Sequence, residues 1–332
     1  MSAPGDPPDL GRPLPTRPPA VAGSFYPANA DELGALVDEL LAESIRRHPT
    51  PASLEPGPVA GVLVPHAGLV YSGIVAAAGW RALLPAAGAP PPAAALPSAV
   101  VVPSAEPSPA SSEPWPVIVL LGTNHGAAWL DGVGAWDGGP WRTPLGEVAP
   151  DRQLARTIVD LGPPFAADTR CHLGEHSLEV QLPFVARLAP GARIVALSIG
   201  TGTGRRGVEA GARLGAMLGA RRAAGERILL AISTDMAHYP AAGVAERVTA
   251  VLLPHILGLD PESLADAEAT LTRAEPRVSC GMCGIAPAVL GLAALRAMGA
   301  RPGIALAAAT SADAGGDPRR TVGYLSVAFG AG

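Results

Sequence analysis

The sequence predicts an α/β fold: a single domain with a central, mostly parallel sheet flanked by helices. Three observations carry this. Aliphatic runs without polar alternation recur at 59–64, 117–121, 194–199, 228–232, 304–308 and 322–329, and strands apolar at every position must be covered on both faces. Helical patterns of ten or more residues separate most of them, supplying the crossovers that parallel pairing requires. Hydrophobic residues make up 48% of the 332 and charged residues 16%, enough for a large core.

Residues 1–16 are Pro-rich and read as a disordered tail, which leaves 17–330 as the domain. In Asn29-Ala30-Asp31-Glu32 the asparagine caps a helix reaching about Arg47, with Leu33, Leu36, Val37, Leu40 and Leu41 on one face. The strand at 59–64 leads to a helix over 73–84. Segment 85–116 holds ten prolines and two charges among its 32 residues, so neither a regular helix nor a central strand fits. It reads as a loop insertion within one domain, with Val100-Val101-Val102 as a short edge strand. After the strand at 117–121 come helices over 151–161 and 176–188, the strand at 194–199, a helix over 207–222 and the strand at 228–232. Helices over 242–257, 261–274 and 284–298 precede the last two strands. Such sheets bind ligands beyond the carboxyl ends of their strands.

Several function classes are excluded. The net charge is −5, leaving no basic footprint for nucleic acid. Every cationic side chain is arginine, and without a lysine there is no phosphate-binding P-loop. No apolar run free of proline and charge is long enough for a membrane span, and the Pro-rich start lacks the apolar core of a signal peptide. Three cysteines are too few for a disulfide framework. A cytoplasmic protein with reduced thiols is expected.

Two histidines stand directly after buried strands, His66 in Pro65-His66-Ala67-Gly68 and His125 in Asn124-His125-Gly126. Each strand end delivers an imidazole to the rim of the sheet, and two neutral imidazoles suit Zn, Fe, Cu or Ni. For His66 alone a loop hydrogen bond is an equally good explanation, and one such histidine is weak evidence; the pair at equivalent positions is what points to a site. After the strand at 228–232, Asp235 and His238 are spaced to project together if the chain opens as a helical turn; a capping aspartate beside an exposed histidine is the plainer reading. His176 starts a helical pattern and can face the site, whereas helix capping accounts for Glu175 and Glu179. In Cys280-Gly281-Met282-Cys283-Gly284 one cysteine is a candidate thiolate ligand, its thiol pKa lowered by the following helix N-terminus. Cys171 and His172 read as structural or incidental. Trp129, Trp141 and Tyr71 line the cleft or simply pack.

These blocks, in this order, resemble the Memo family, in its bacterial type called AmmeMemoRadiSam system protein B. The resemblance begins with residues 17–27 and continues through the His66 and His125 turns, Trp141-Arg142-Thr143-Pro144-Leu145-Gly146, Glu175-His176-Ser177-Leu178-Glu179, residues 233–239 and Cys280-Gly281. It implies a fold similar to class III extradiol dioxygenases (LigB-like), which hold iron with two histidines and a glutamate. By the same resemblance the metal ligands are His66, His125 and Cys280, with Cys280 preferred because its Cys-Gly pair aligns. His176, Asp235 and His238 are the implied catalytic surroundings, the histidines moving protons and Asp235 orienting them. Fe(II) is the first expectation, copper the second and zinc, with hydrolytic chemistry, the third. The implied function is a metal-dependent, dioxygenase-like oxidoreductase of unknown substrate. The alternative is a non-catalytic metal carrier, or a peptide- or partner-binding protein, working with radical SAM and AMMECR1-type proteins.

Overall fold

Every residue of the three strands at the centre of the sheet is buried, as continuous aliphatic runs require. The computed structural model describes residues 15–51, 58–85, 114–200, 205–275 and 277–332. In chain order the first half contains α1 (Ala30–Arg47), β1 (Val59–Val64), α2 (Leu69–Leu83), β2 (Val117–Thr123), β3 (Val133–Ala135), β4 (Trp141–Thr143), β5 (Gly146–Pro150), α3 (Arg152–Val159) and β6 (Phe165–Ala167). The second half contains α4 (Leu182–Leu188), β7 (Arg193–Ile199), α5 (Arg205–Ala223), β8 (Ile228–Ser233), α6 (Ala242–Leu257), α7 (Pro261–Ala274), α8 (Ile285–Ala297), β9 (Gly303–Thr310) and β10 (Gly323–Gly330).

The sheet runs β4-β5-β7-β2-β8-β1-β10-β9, with β3 and β6 branching from β7. Strands β5, β7, β2, β8 and β1 are mutually parallel, while β10 and β9 close one side antiparallel. Successive side chains of a strand point to opposite faces. Val119 and Leu121 therefore join Leu214 of α5 and Leu290 of α8 in one core, while Ile118 and Leu120 join Leu33 of α1, Trp80 of α2 and Phe184 of α4 in the other. The α5–α8 contact depends on glycine: a Cβ on Gly211 would stand 2.2 Å from the Leu290 carbonyl oxygen. The fold class is the expected one, a single α/β domain covered on both faces.

The differences lie at element ends. Helix α2 starts at Leu69 rather than Gly73. The helix expected from His176 starts later: residues 175–178 are irregular, Glu179–Gln181 form a 3-10 turn, and α4 begins at Leu182. Strands β3 to β6 are only three to five residues long, without an aliphatic run to announce them. Residues 1–14 of the expected tail, and Val100-Val101-Val102 within the insertion, lie outside the described residues.

What matters for function is that β2, β8 and β1 are adjacent and parallel, so all three end on one rim. Ser233 at the end of β8 is in register with Val64 of β1 and Gly122 of β2. The turns that follow carry His66, His125 and Asp235.

Candidate metal centre

After β1 the chain turns at Pro65, and the backbone N–H groups of His66 and Ala67 both donate to Asp235 Oδ1, at 2.7 and 3.2 Å. The carboxylate after β8 therefore sets the turn after β1. His66 is buried. Its Nδ1 lies 3.0 Å from Ser233 Oγ and its Nε2 3.3 Å from Cys283 Sγ. Burial, partly offset by Asp235, pushes the ring pKa down to about 4, so the imidazole is neutral at physiological pH.

His125 follows a turn built by Asn124, whose Nδ2 donates to Cys171 O at 2.7 Å and to Ser198 Oγ at 2.9 Å. Its Nδ1 meets Glu175 Oε1 at 2.9 Å, and its backbone N–H donates to Glu175 Oε2 at 2.5 Å. Glu175 also accepts from the backbone N–H groups of His176 and Ser177, each at 2.8 Å. Burial alone would raise this carboxyl, but the His125 interactions and the backbone donors outweigh it and hold it well below the usual range. Glu175 is thus the orienting partner of His125, a role that helix capping had concealed.

His176 stacks on His125 with ring centroids 4.4 Å apart and meets His66 edge-on at 5.5 Å. Phe25 packs against it in a tilted contact at 4.7 Å. Phe25 is delivered by the segment that fully buried Glu179 gathers in: its carboxylate accepts from Arg17, from the Ala20 and Val21 N–H groups and from the Tyr26 hydroxyl. Burial lowers the His176 pKa.

Cys283 sits two residues before α8. Its N–H donates to the Asp235 carbonyl at 3.2 Å, and the Asp235 N–H points at Sγ from 3.3 Å. Gly284 allows this approach, since a Cβ there would stand 2.5 Å from Thr234 Cβ. The thiol that faces His66 is therefore that of Cys283. Cys280, which the resemblance favoured, is held three residues back, with its carbonyl accepting from the His238 N–H at 3.3 Å. Two Cys-Gly pairs occur in this segment, and the second is the one packed against the end of β8. The expected lowering of a thiol pKa is also reversed: burial pushes Cys280 up to about 11 and Cys283 well above its ordinary value.

Asp235 and His238 approach without a helical turn, since residues 234–237 are irregular. Asp235 Oδ2 lies 3.8 Å from His238 Nε2, and that buried nitrogen has no hydrogen-bond partner among the described residues. Burial would raise the Asp235 carboxyl, but His66 and His238 together keep it below its usual range. Among the described residues, three sets bring their donor atoms within 4.8 Å of one another: His66, His125 and Cys283; His125, Glu175 and His176; and Asp235, His238 and Cys283. Cys280 belongs to none of them. Trp141 is core, lying under the Arg17 guanidinium at 4.1 Å, whereas Trp129 and Tyr71 are exposed. Buried His172 donates from Nε2 to the Gly134 carbonyl at 3.0 Å and packs edge-on against Trp136 and Trp141.

The fold and this rim define an α/β protein with a candidate His/His/Cys metal centre beyond the carboxyl ends of a parallel sheet. The profile of the family described as Memo-like protein matches residues 17–88 and 104–328, and the chain belongs to that family. It is 30% identical over 315 residues to a MEMO1 family protein of Methanopyrus kandleri, covering 94% of this chain and 98% of the relative. A MEMO1 family protein of Aquifex aeolicus is 31% identical with the same coverage, and one of Aeropyrum pernix is 32% identical over 318 residues, also covering 94% and 98%. Among the described residues no helix is long and apolar enough to cross a membrane.

Proposed function

We propose that the protein is a metal-dependent redox protein, with Fe(II) as its first metal and copper its second, held by His66 Nε2, His125 Nε2 and Cys283 Sγ. One observation carries this reading: these residues' donor atoms lie within 4.8 Å of one another, while each ring's Nδ1 is tied back to the scaffold. Metal-binding histidines are oriented in this way, through the ring nitrogen that does not bind. A thiolate beside two imidazoles suits both metals, and zinc less specifically. Three protein ligands leave positions open, and a metal bound there would supply redox chemistry or substrate activation.

The chain's own residues then handle protons. His238 Nε2, buried and without a hydrogen-bond partner among the described residues, can carry a proton in or out beside Asp235 Oδ2, and His176, stacked on His125, offers a second such ring. Asp235 keeps Oδ1 on the His66 turn and Oδ2 toward His238, so it orients both. A second reading is a metal carrier whose cleft docks a partner, with radical SAM and AMMECR1-type proteins as candidates. It is favoured by exposed Tyr71, Trp129, Leu173 and Tyr239 on the segments flanking the site residues, since exposed apolar surface marks binding faces.

Metal analysis of anaerobically purified protein tests the centre. Stoichiometric iron or copper is expected in the wild type and in Cys280→Ser, and is lost in His66→Ala, His125→Ala and Cys283→Ser. Full metal retention in Cys283→Ser and His66→Ala would overturn the assignment. Oxygen uptake with catechols and with reductants separates the oxidoreductase from the carrier, which consumes none.

A further inference from the structure

His66 has two ring nitrogens, and only a lone pair on Nε2 can face Cys283 as a ligand. The hydrogen bonds behind the ring determine which nitrogen carries the proton. The Trp80 indole N–H is a donor only, and it lies 2.7 Å from Gln181 Oε1. This fixes the Gln181 amide, so its NH₂ must face the Pro65 carbonyl and Ser233 Oγ, each 2.9 Å away. Ser233 Oγ lies 2.6 Å from the Ser177 carbonyl oxygen. Two oxygens that close need a proton between them, and only the serine hydroxyl has one to give. Ser233 Oγ therefore has only lone pairs left. One accepts from Gln181, and the other must accept from His66 Nδ1 at 3.0 Å.

We propose that Ser233 and Gln181 are positioning residues that lock His66 in its Nδ1–H tautomer and so present the Nε2 lone pair to the site. Segment 175–181 thereby orients both imidazoles, His125 directly through Glu175 and His66 indirectly through Ser177, Gln181 and Ser233. The purpose of the lock rests on the metal-centre reading; its existence does not, because every bond in it forms without a metal.

The test starts on metal-free protein labelled with ¹⁵N-histidine, using long-range ¹H–¹⁵N correlation spectra with His66 assigned by a His66→Gln variant. A protonated Nδ1 and an unprotonated Nε2 are expected. Removing the hydroxyl in Ser233→Ala should release the ring toward the Nε2–H form and weaken Co(II) binding by about 10- to 100-fold, the usual effect of deleting an orienting partner. Ser233→Thr keeps the hydroxyl and should restore both. An Nε2–H ring in the wild type overturns the proposal, as does a Ser233→Ala protein with unchanged tautomer and Co(II) affinity. Should Ser233→Ala fail to fold, the wild-type spectrum still decides, with Gln181→Met as the second variant. If the wild type binds no Co(II), Fe(II) or copper, the metal-centre reading falls while the spectra still decide the tautomer.

Discussion

Changing pH should change metal affinity through one identifiable proton. In the metal-free protein burial holds the Cys283 thiol pKa well above its ordinary 9.0, so the sulfur is protonated across the neutral range. His66, with its pKa brought down to about 4, has no proton left to lose from Nε2 there. Metal binding requires the thiolate and so releases the Cys283 proton. One proton released corresponds to about 1.4 kcal/mol per pH unit, or about tenfold in affinity. Between about pH 6 and pH 8 the Cys283 contribution alone should tighten binding by about a hundredfold. The sign follows from the direction of the shift: the raised thiol pKa penalises binding at low pH, and the penalty shrinks as pH rises.

Co(II) is a suitable probe, because thiolate ligation gives a charge-transfer band and a chelating competitor reports affinity at each pH. The logarithm of the association constant, plotted against pH, should have a slope greater by one in the wild type than in Cys283→Ser, whose hydroxyl stays protonated. Cys280→Ser should keep the wild-type slope. Taking the difference removes any proton contributed by other site residues. Equal slopes in wild type and Cys283→Ser would refute the reasoning, because the thiolate would then be preformed or the sulfur would not bind. Where Cys283→Ser binds too weakly to measure, a wild-type slope near zero has the same force.

Outside the site, His172 is buried with its pKa lowered to about 4 from 6.5, so its stabilising contribution is full above the unfolded value and is lost as pH falls toward the folded one. Urea unfolding of His172→Gln should therefore depend less steeply on pH in that window than the wild type, by up to about 1.4 kcal/mol per unit. Glu175→Gln sets an NH₂ group among N–H donors and should cost about 1–3 kcal/mol in urea unfolding, with Co(II) binding weakened about 10- to 100-fold; unchanged values would remove Glu175 from the site. In Gly284→Ala the new Cβ meets Thr234 Cβ at 2.5 Å and the Ser233 carbonyl oxygen at 3.0 Å. Overpacking of about 1–3 kcal/mol and loss of the thiolate–Co(II) band are expected.

The sequence revealed what periodicity can reveal. Strand β1 and helices α6 and α7 fall at their expected bounds, because an aliphatic run or an amphipathic repeat marks each of them. His66 and His125 were legible for the same reason: a buried strand followed directly by histidine leaves the ring little choice of place. Choosing between Cys280 and Cys283 was beyond that logic. It depends on where α8 begins and on Gly284 packing against Thr234, a contact between residues 50 apart. Glu175 was hidden by a sound local argument, since an acidic residue ahead of a helix usually caps it. Here the helix starts later, and the carboxylate turns to His125 instead. Ser233 and Gln181 carry no sequence signal at all, because their importance lies in which of their atoms donates.

The hydrogen bonding also satisfies the charged groups around the proposed centre from within the protein. Glu175 is satisfied by His125 and three backbone N–H groups, and Asp235 by the His66 and Ala67 N–H groups. Buried carboxylates with that many donors stay ionised and need no bound cation to neutralise them. His66 and Cys283 meet at 3.3 Å as a neutral pair, so the part of the site nearest the core introduces no unpaired charge. The rim is therefore fixed by the sheet and its turns, in contrast to small zinc domains that fold only around their ion. A donor set held in this way spends little of its binding free energy on ordering the chain.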